Sequence, residues 1–154
     1  MTVEWEEYLP DLPEVGDADL DAVETRRGVS LPADYRATVK QHVGETPLPE
    51  NMAVGERGIV PVGPLFFAKA DHDGAEADQN IWYWIEAVDQ NFPAELAGKL
   101  LPFASDTAQG IFAFDYRGGD APAVVFLNLE SAADETSIFP VAESWDGFLA
   151  ALQR

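Results

Sequence analysis

"FDYRGGDAPAVVFLNLE", residues 114–130, places two glycines and an acid between an aromatic run and an aliphatic one. A glycine-rich centre of this kind serves either as a phosphate cradle or as the turn of a hairpin. A phosphate loop needs backbone amides feeding a helix N-terminus, usually with a lysine nearby. Here the chain continues into Val124-Val125-Phe126, which is strand material, and Asp120 would repel a phosphate. The preceding run alternates strictly, with Phe112, Phe114 and Tyr116 on one face and Ile111, Ala113 and Asp115 on the other. Gly118-Gly119 therefore reads as a turn, with Pro122 confined to the entrance of the next strand.

Working outward, "LLPFAS" (100–105), "GIFAFDYR" (110–117) and "AVVFLNLE" (123–130) are three closely spaced β runs. Such spacing predicts a central antiparallel meander over about 100–129. After it, "SIFPVAESWDGFLAALQR" (137–154) predicts a short strand around Ile138–Val141 and then a helix. Ser144 is its natural cap, Asp146 lies in its first turn, and Arg154 falls at its negative end. Trp145, Phe148, Leu149 and Leu152 form an apolar stripe that must pack on the sheet.

Before the meander, Asp19–Arg27 reads as a helix with Asp17 as cap, Leu20 and Val23 inward and Gly28 as stop. "LPADYRATVKQHVGE" (31–45) is a second helix, with Pro32 at its first position and Tyr35, Val39, His42 and Val43 on one face. Residues 1–17, acidic and holding Pro10 and Pro13, read as irregular, and residues 45–58 as a long loop. "IVPVGPLFFAK" (59–69) is β-type, but Pro61 and Pro64 place it on a sheet edge or split it into two short strands. "IWYWIEAV" (81–88) suits a strand by composition. The positions of Ile81, Trp84, Ile85 and Val88, with Asp78 and Asn80 able to cap, favour a helix. Together these elements predict one α+β domain over residues 1–154, its mainly antiparallel sheet packed by N-terminal helices and a C-terminal helix.

The 154 residues include 47% hydrophobic side chains, so the chain holds enough apolar material for a core despite a formal charge of -19. It has no cysteine, which excludes disulfides, thiol nucleophiles and thiolate metal sites. The start "MTVEWEEYLP" carries acids where a signal peptide needs bases, and no apolar stretch approaches a membrane span. A cytoplasmic location is the expectation. Residues 1–25, 70–98 and 118–153 contain acids but no lysine or arginine. Surfaces of this sign repel nucleic acid and anionic lipid and steer basic partners inward. They also keep proteins soluble, notably under salt adaptation, and charge alone does not separate the two uses.

Catalytic readings fail on the residues they need. His42 and His72 are the two imidazoles, and neither G-x-S-x-G nor H-E-x-x-H occurs. His42, on the inner side of its helix, reads as structural. The stretch Asp71–Asp78 is superficially like a calcium loop, but its sixth and twelfth positions are Glu76 and Trp82 rather than glycine and glutamate. No catalytic residue, metal or cofactor is expected. The acidic stretch Asp71, Asp73, Glu76 and Asp78 reads as a solvated loop or as part of a partner-binding surface with Trp82 and Tyr83. Aromatics in that position either pack into the domain or form a binding hot spot.

Several of these residues carry a resemblance. Glu24, Leu31-Pro32 with Tyr35, Gly44, Gly110 before the aromatic strand, Asp115, and the C-terminal Ser144, Trp145, Phe148 and Leu149 together resemble the SUKH superfamily over about residues 20–154. That group takes part of its name from fungal cell-wall-synthesis regulators and includes many bacterial immunity proteins. The family's usual Asn-Gly-Gly after the second helix is reduced here to "HVGET" (42–46), and residues 65–91 carry no family motif. The resemblance implies a non-enzymatic binding scaffold, in bacteria often one that neutralises by direct binding a polymorphic toxin encoded beside it. Many such toxins are nucleases with basic active sites, which an acidic inhibitor suits. The expected partner is thus a basic toxin domain; the alternative is a cytoplasmic regulatory or scaffolding protein of the same fold with no toxin partner.

Overall fold

A computed structural model of the chain describes residues 3–70, 76–106, 110–129 and 133–153. The meander is its centre. Strands β5 (Leu100–Ser105), β6 (Gly110–Asp115), β7 (Ala123–Asn128) and β8 (Ile138–Ala142) form one antiparallel sheet in that order, so each consecutive pair is a hairpin. Phe112 faces Phe126 and Phe114 faces Val124 across β6–β7, which fixes the register. The turn between them is the glycine pair: Gly119, at φ 135°, donates its N–H to the Tyr116 carbonyl at 3.2 Å. That φ is closed to most side chains, which is why glycine stands there.

Both faces of β6 are buried, not one. Ile111 and Ala113 have no more exposure than Phe112 and Phe114. On one side Phe103, Phe112 and Phe114 meet Tyr35 of α2 (Ala33–His42) and Trp145 and Phe148 of α5 (Trp145–Ala151). Most of these rings stand edge-on or tilted, with centroids 4.8–6.5 Å apart. Edge-to-face packing at this range adds roughly 0.5–1.5 kcal/mol per pair beyond burial. Helix α3 (Ile81–Asn91) packs along β5, and the 65–67 segment is bridged to β5 through Leu65 and Ala104. Gly110 opens β6 without a side chain because the Phe126 ring occupies the space where a Cβ would stand.

The helices follow their sequence signals with small shifts. α1 spans Asp17–Arg27, so its cap is Gly16 and not Asp17; Asp19 closes the turn by accepting the Gly16 N–H at 2.9 Å. Gly28 terminates it in the left-handed conformation, and Leu20 and Val23 are buried as their spacing requires. Pro32 is the cap of α2 and not its first helical residue, its extended ψ of 135° leaving the helix to start at Ala33. In α5 the Ser144 hydroxyl accepts the Gly147 N–H at 3.0 Å, the expected cap, and Trp145, Phe148 and Leu152 are buried. Arg154 lies outside the described residues. Residues 81–88 are helical within α3, and Asn80 caps them by accepting the Trp82 N–H. A short helix, α4 (Ala94–Ala97), links α3 to β5.

Two stretches depart from expectation. The N-terminal segment, expected to be irregular, contributes β1 (Glu4–Glu7), and the 45–58 stretch, expected to be a loop, contributes β2 (Glu45–Leu48) and β3 (Asn51–Ala53). β1 pairs antiparallel with β2, and β3 with β4 (Ile59–Pro61). These strands are three or four residues long, too short to show period-two patterning, and tertiary contacts supply what local sequence does not. For β1 the decisive contact is Trp5, which stacks on His42 at 5.0 Å and an interplanar angle of 12°. For β4, the division of 59–69 into short pieces by Pro61 and Pro64 is as expected.

Candidate partner-binding surface

Of the candidate residues, Glu76, Asp78, Trp82 and Tyr83 fall around the start of α3. Asp71 and Asp73 lie outside the described residues. Glu76 is half-buried and Asp78 exposed, at the 3₁₀ turn Ala77–Gln79 that precedes the helix. The Asp78 carbonyl accepts the Trp84 indole N–H at 2.7 Å, so the backbone of the acidic turn is tied to the aromatic helix. Trp84 stacks on Phe66 at 6.1 Å, inward as its spacing requires. Tyr83 turns outward, 47% exposed, its ring standing edge-on to Trp84 at 4.9 Å. Trp82 is half-buried, and its indole N–H has no acceptor among the described residues.

Trp82 and Tyr83 line one cleft of about 370 Å³ with Asn80, Ile85, Arg26 and Glu86; Asp78 stands outside that cleft. Asn80, which the sequence marks only as a cap, is buried and does more. Its amide donates to the Lys69 carbonyl at 2.8 Å and accepts the Lys69 and Trp82 N–H groups, so it fastens residue 69 to the helix start. Arg26 and Glu86 belong to the cleft without having been singled out. Their separation of 60 positions left no sequence signal for Arg26, whereas Glu86 lies three residues past Tyr83 on the same helix, which places both on one face.

Among the described residues, six of the chain's nine lysines and arginines pair with its own acids. Arg26 and Arg27 both hold Asp89 at 2.7 Å, Arg36 holds Asp17, Asp21 and Glu24, Lys40 holds Asp17, Lys69 holds Asp19, and Arg117 holds Asp115. Arg57 lies over the rings of Phe126 and Phe139, 5.3 and 5.4 Å from their centroids. Burial lowers the affinity of the Arg27 guanidinium for its proton, and Asp89 opposes that effect. For Asp17 the hydrogen bonds from Lys40 and Arg36 hold the carboxyl below its ordinary value. Exposed acids such as Asp78 and Glu86 make no ion pair among the described residues. Binding through such a surface favours a partner that is basic.

The residues that carried the family resemblance have structural tasks. Glu24 accepts the Leu31 N–H at 2.7 Å and pairs with Arg36 at 3.0 Å, which joins α1 to α2. Tyr35 and Trp145 meet edge-on at 5.2 Å, joining α2 to α5 over the sheet. A family model described as SMI1 / KNR4 family (SUKH-1) matches residues 14–151. The chain belongs to this family. The α+β architecture and the four-stranded meander agree with the fold that the resemblance implied, and SUKH-1 membership is consistent with an immunity-type, non-enzymatic protein-binding module. No curated protein matches the sequence. Among the described residues no helix is long and apolar enough to cross a membrane, and no group of three or more His, Asp or Glu is placed to hold a metal ion.

Proposed function

We propose that this SUKH-1 protein is an immunity protein that binds a basic toxin domain, such as a nuclease, and neutralises it by occlusion without catalysis. The observation that carries the reading is the disposition of charge: Arg26, Arg27, Arg36, Lys40, Lys69 and Arg117 pair with the chain's own acids, while Asp78 and Glu86, near the exposed Tyr83 and half-buried Trp82, make no ion pair among the described residues. An aromatic pair bordered by acids fits the hot-spot pattern of a protein interface. Residues Glu76, Asp78, Trp82 and Tyr83, with Asp71 and Asp73, are the proposed contact set, and the cytoplasm is the proposed compartment.

Co-expression with a toxin domain encoded beside the gene tests this reading. Survival of cells that the toxin alone kills, together with co-purification of the two proteins at low salt, is the expected result. Undiminished killing would overturn it and favour a regulatory or scaffolding role for the same fold.

A further inference from the structure

A second concave surface lies away from α3. A groove of about 400 Å³ runs between the start of α2, the β6–β7 turn and the start of α5. Its apolar lining includes Leu31, Pro122 and Trp145, all buried. Its rim carries Asp34, Asp120, Glu143 and Asp146, all exposed and none in an ion pair among the described residues. Two of these acids have an internal explanation: Asp34 and Asp146 lie in the first turns of α2 and α5, where they complement the helix dipoles. Asp120 and Glu143 lie outside both helices and have no such role.

The shape of the groove points to its occupant. The groove continues: Ser30 and Asp120 are shared with an adjoining cleft lined by Gly28, Val29 and Tyr116, so the concavity is elongated. Apolar lining excludes a bare metal ion as the natural ligand, and the rim's sign excludes an acidic segment.

We infer that this groove docks a short, extended, basic segment of a protein partner, with an apolar side chain on the Leu31–Pro122–Trp145 lining and lysine or arginine side chains toward Asp120 and Glu143. This deepens the reading of an acidic protein-binding module by giving it a second contact region, remote from α3 in sequence.

The probe is the peptide Ac-Lys-Leu-Arg-Leu-Lys-amide, titrated into the ¹⁵N-labelled full chain and followed by NMR. Saturable shifts of the Trp145 indole and of the Asp120 and Glu143 amides are expected, with none from the peptide in which glutamate replaces each cation. The D120N/E143Q variant changes two exposed residues, retains its melting temperature, and binds about fivefold or more weakly, as two exposed ion pairs would require. Equal affinity of variant and parent overturns the proposal, as does the absence of saturable shifts. Shifts confined to Tyr83 and Glu86 overturn the groove while supporting the α3 surface. The toxin-protection assay judges the broader reading separately, since a protein can protect through α3 with this groove empty.

Discussion

The buried guanidinium of Arg27 holds Asp89 at 2.7 Å and donates from Nε to the Leu100 carbonyl at 2.8 Å, so one side chain fastens α1 to α3 and to the first strand of the meander. Arg27 is almost wholly enclosed, whereas Asp89 is partly open to solvent and also takes Arg26. Removing the acid leaves the charge of Arg27 buried with only a carbonyl for company. Asp89→Ala is expected to destabilise the fold by about 3 kcal/mol, the low end of the cost of breaking a buried pair. Urea denaturation measures this; the double variant R27M/D89L is expected to recover most of the loss, because an apolar pair leaves no stranded charge.

Gly110 and Phe126 make a second prediction. Gly110→Ala puts a methyl group into the Phe126 ring, and overpacking of a core this dense costs roughly 1–3 kcal/mol. Thermal unfolding is expected to show a melting temperature lower by about 3–10 °C. Combining G110A with F126L frees the space and is expected to restore part of the loss, an outcome that loss of backbone freedom alone would not produce.

Acid sensitivity follows from the surface carboxylates. Asp17 is held below its ordinary value near 3.8 by Lys40 and Arg36. Burial pushes Asp19 upward, but the Gly16 N–H and Lys69 outweigh it, and its carboxyl also lies low. A carboxyl whose folded value is depressed contributes stability that is present above the unfolded value and lost as pH falls through the folded one. Stability attributable to these two groups is therefore complete above about pH 5 and declines below pH 3.8. In denaturation midpoints measured between pH 2.5 and 7, D17N/D19N is expected to be less stable than the parent at pH 7 and to differ least from it at pH 2.5.

Much of this fold was legible in the sequence, and the reason is physical. The meander, α2, α3 and α5 are elements whose own residues declare them through alternation, helical spacing, and caps at Asn80 and Ser144. β1, β2 and β3 declare nothing locally; they exist because Trp5 finds His42 and because Gly44 donates its N–H to the Leu65 carbonyl at 2.9 Å. Around the candidate surface, helical spacing marks Ile81, Trp84 and Ile85 as one face and leaves Tyr83 off it, while the Asn80 clamp on Lys69 and the presence of Arg26 in the cleft depend on contacts between distant parts of the chain.

Tyr83 offers a substitution that separates binding from folding. Its ring is about half exposed, so Tyr83→Ala is expected to change stability by no more than about 0.5 kcal/mol. As a hot-spot residue it would weaken a complex by roughly 2 kcal/mol, about thirtyfold in affinity. Calorimetric titration of a neutralised toxin with Y83A, alongside its melting curve, reads both quantities.

Salt dependence tests the central claim most directly. With a formal charge of -19, the chain is proposed to recognise its partner largely through charge. The dissociation constant of its purified complex with a toxin domain that it neutralises, measured at 50 and 500 mM NaCl, is predicted to rise about tenfold or more as screening shortens the reach of the acids. A constant that stays level or falls across that range would contradict charge-driven recognition of a basic partner.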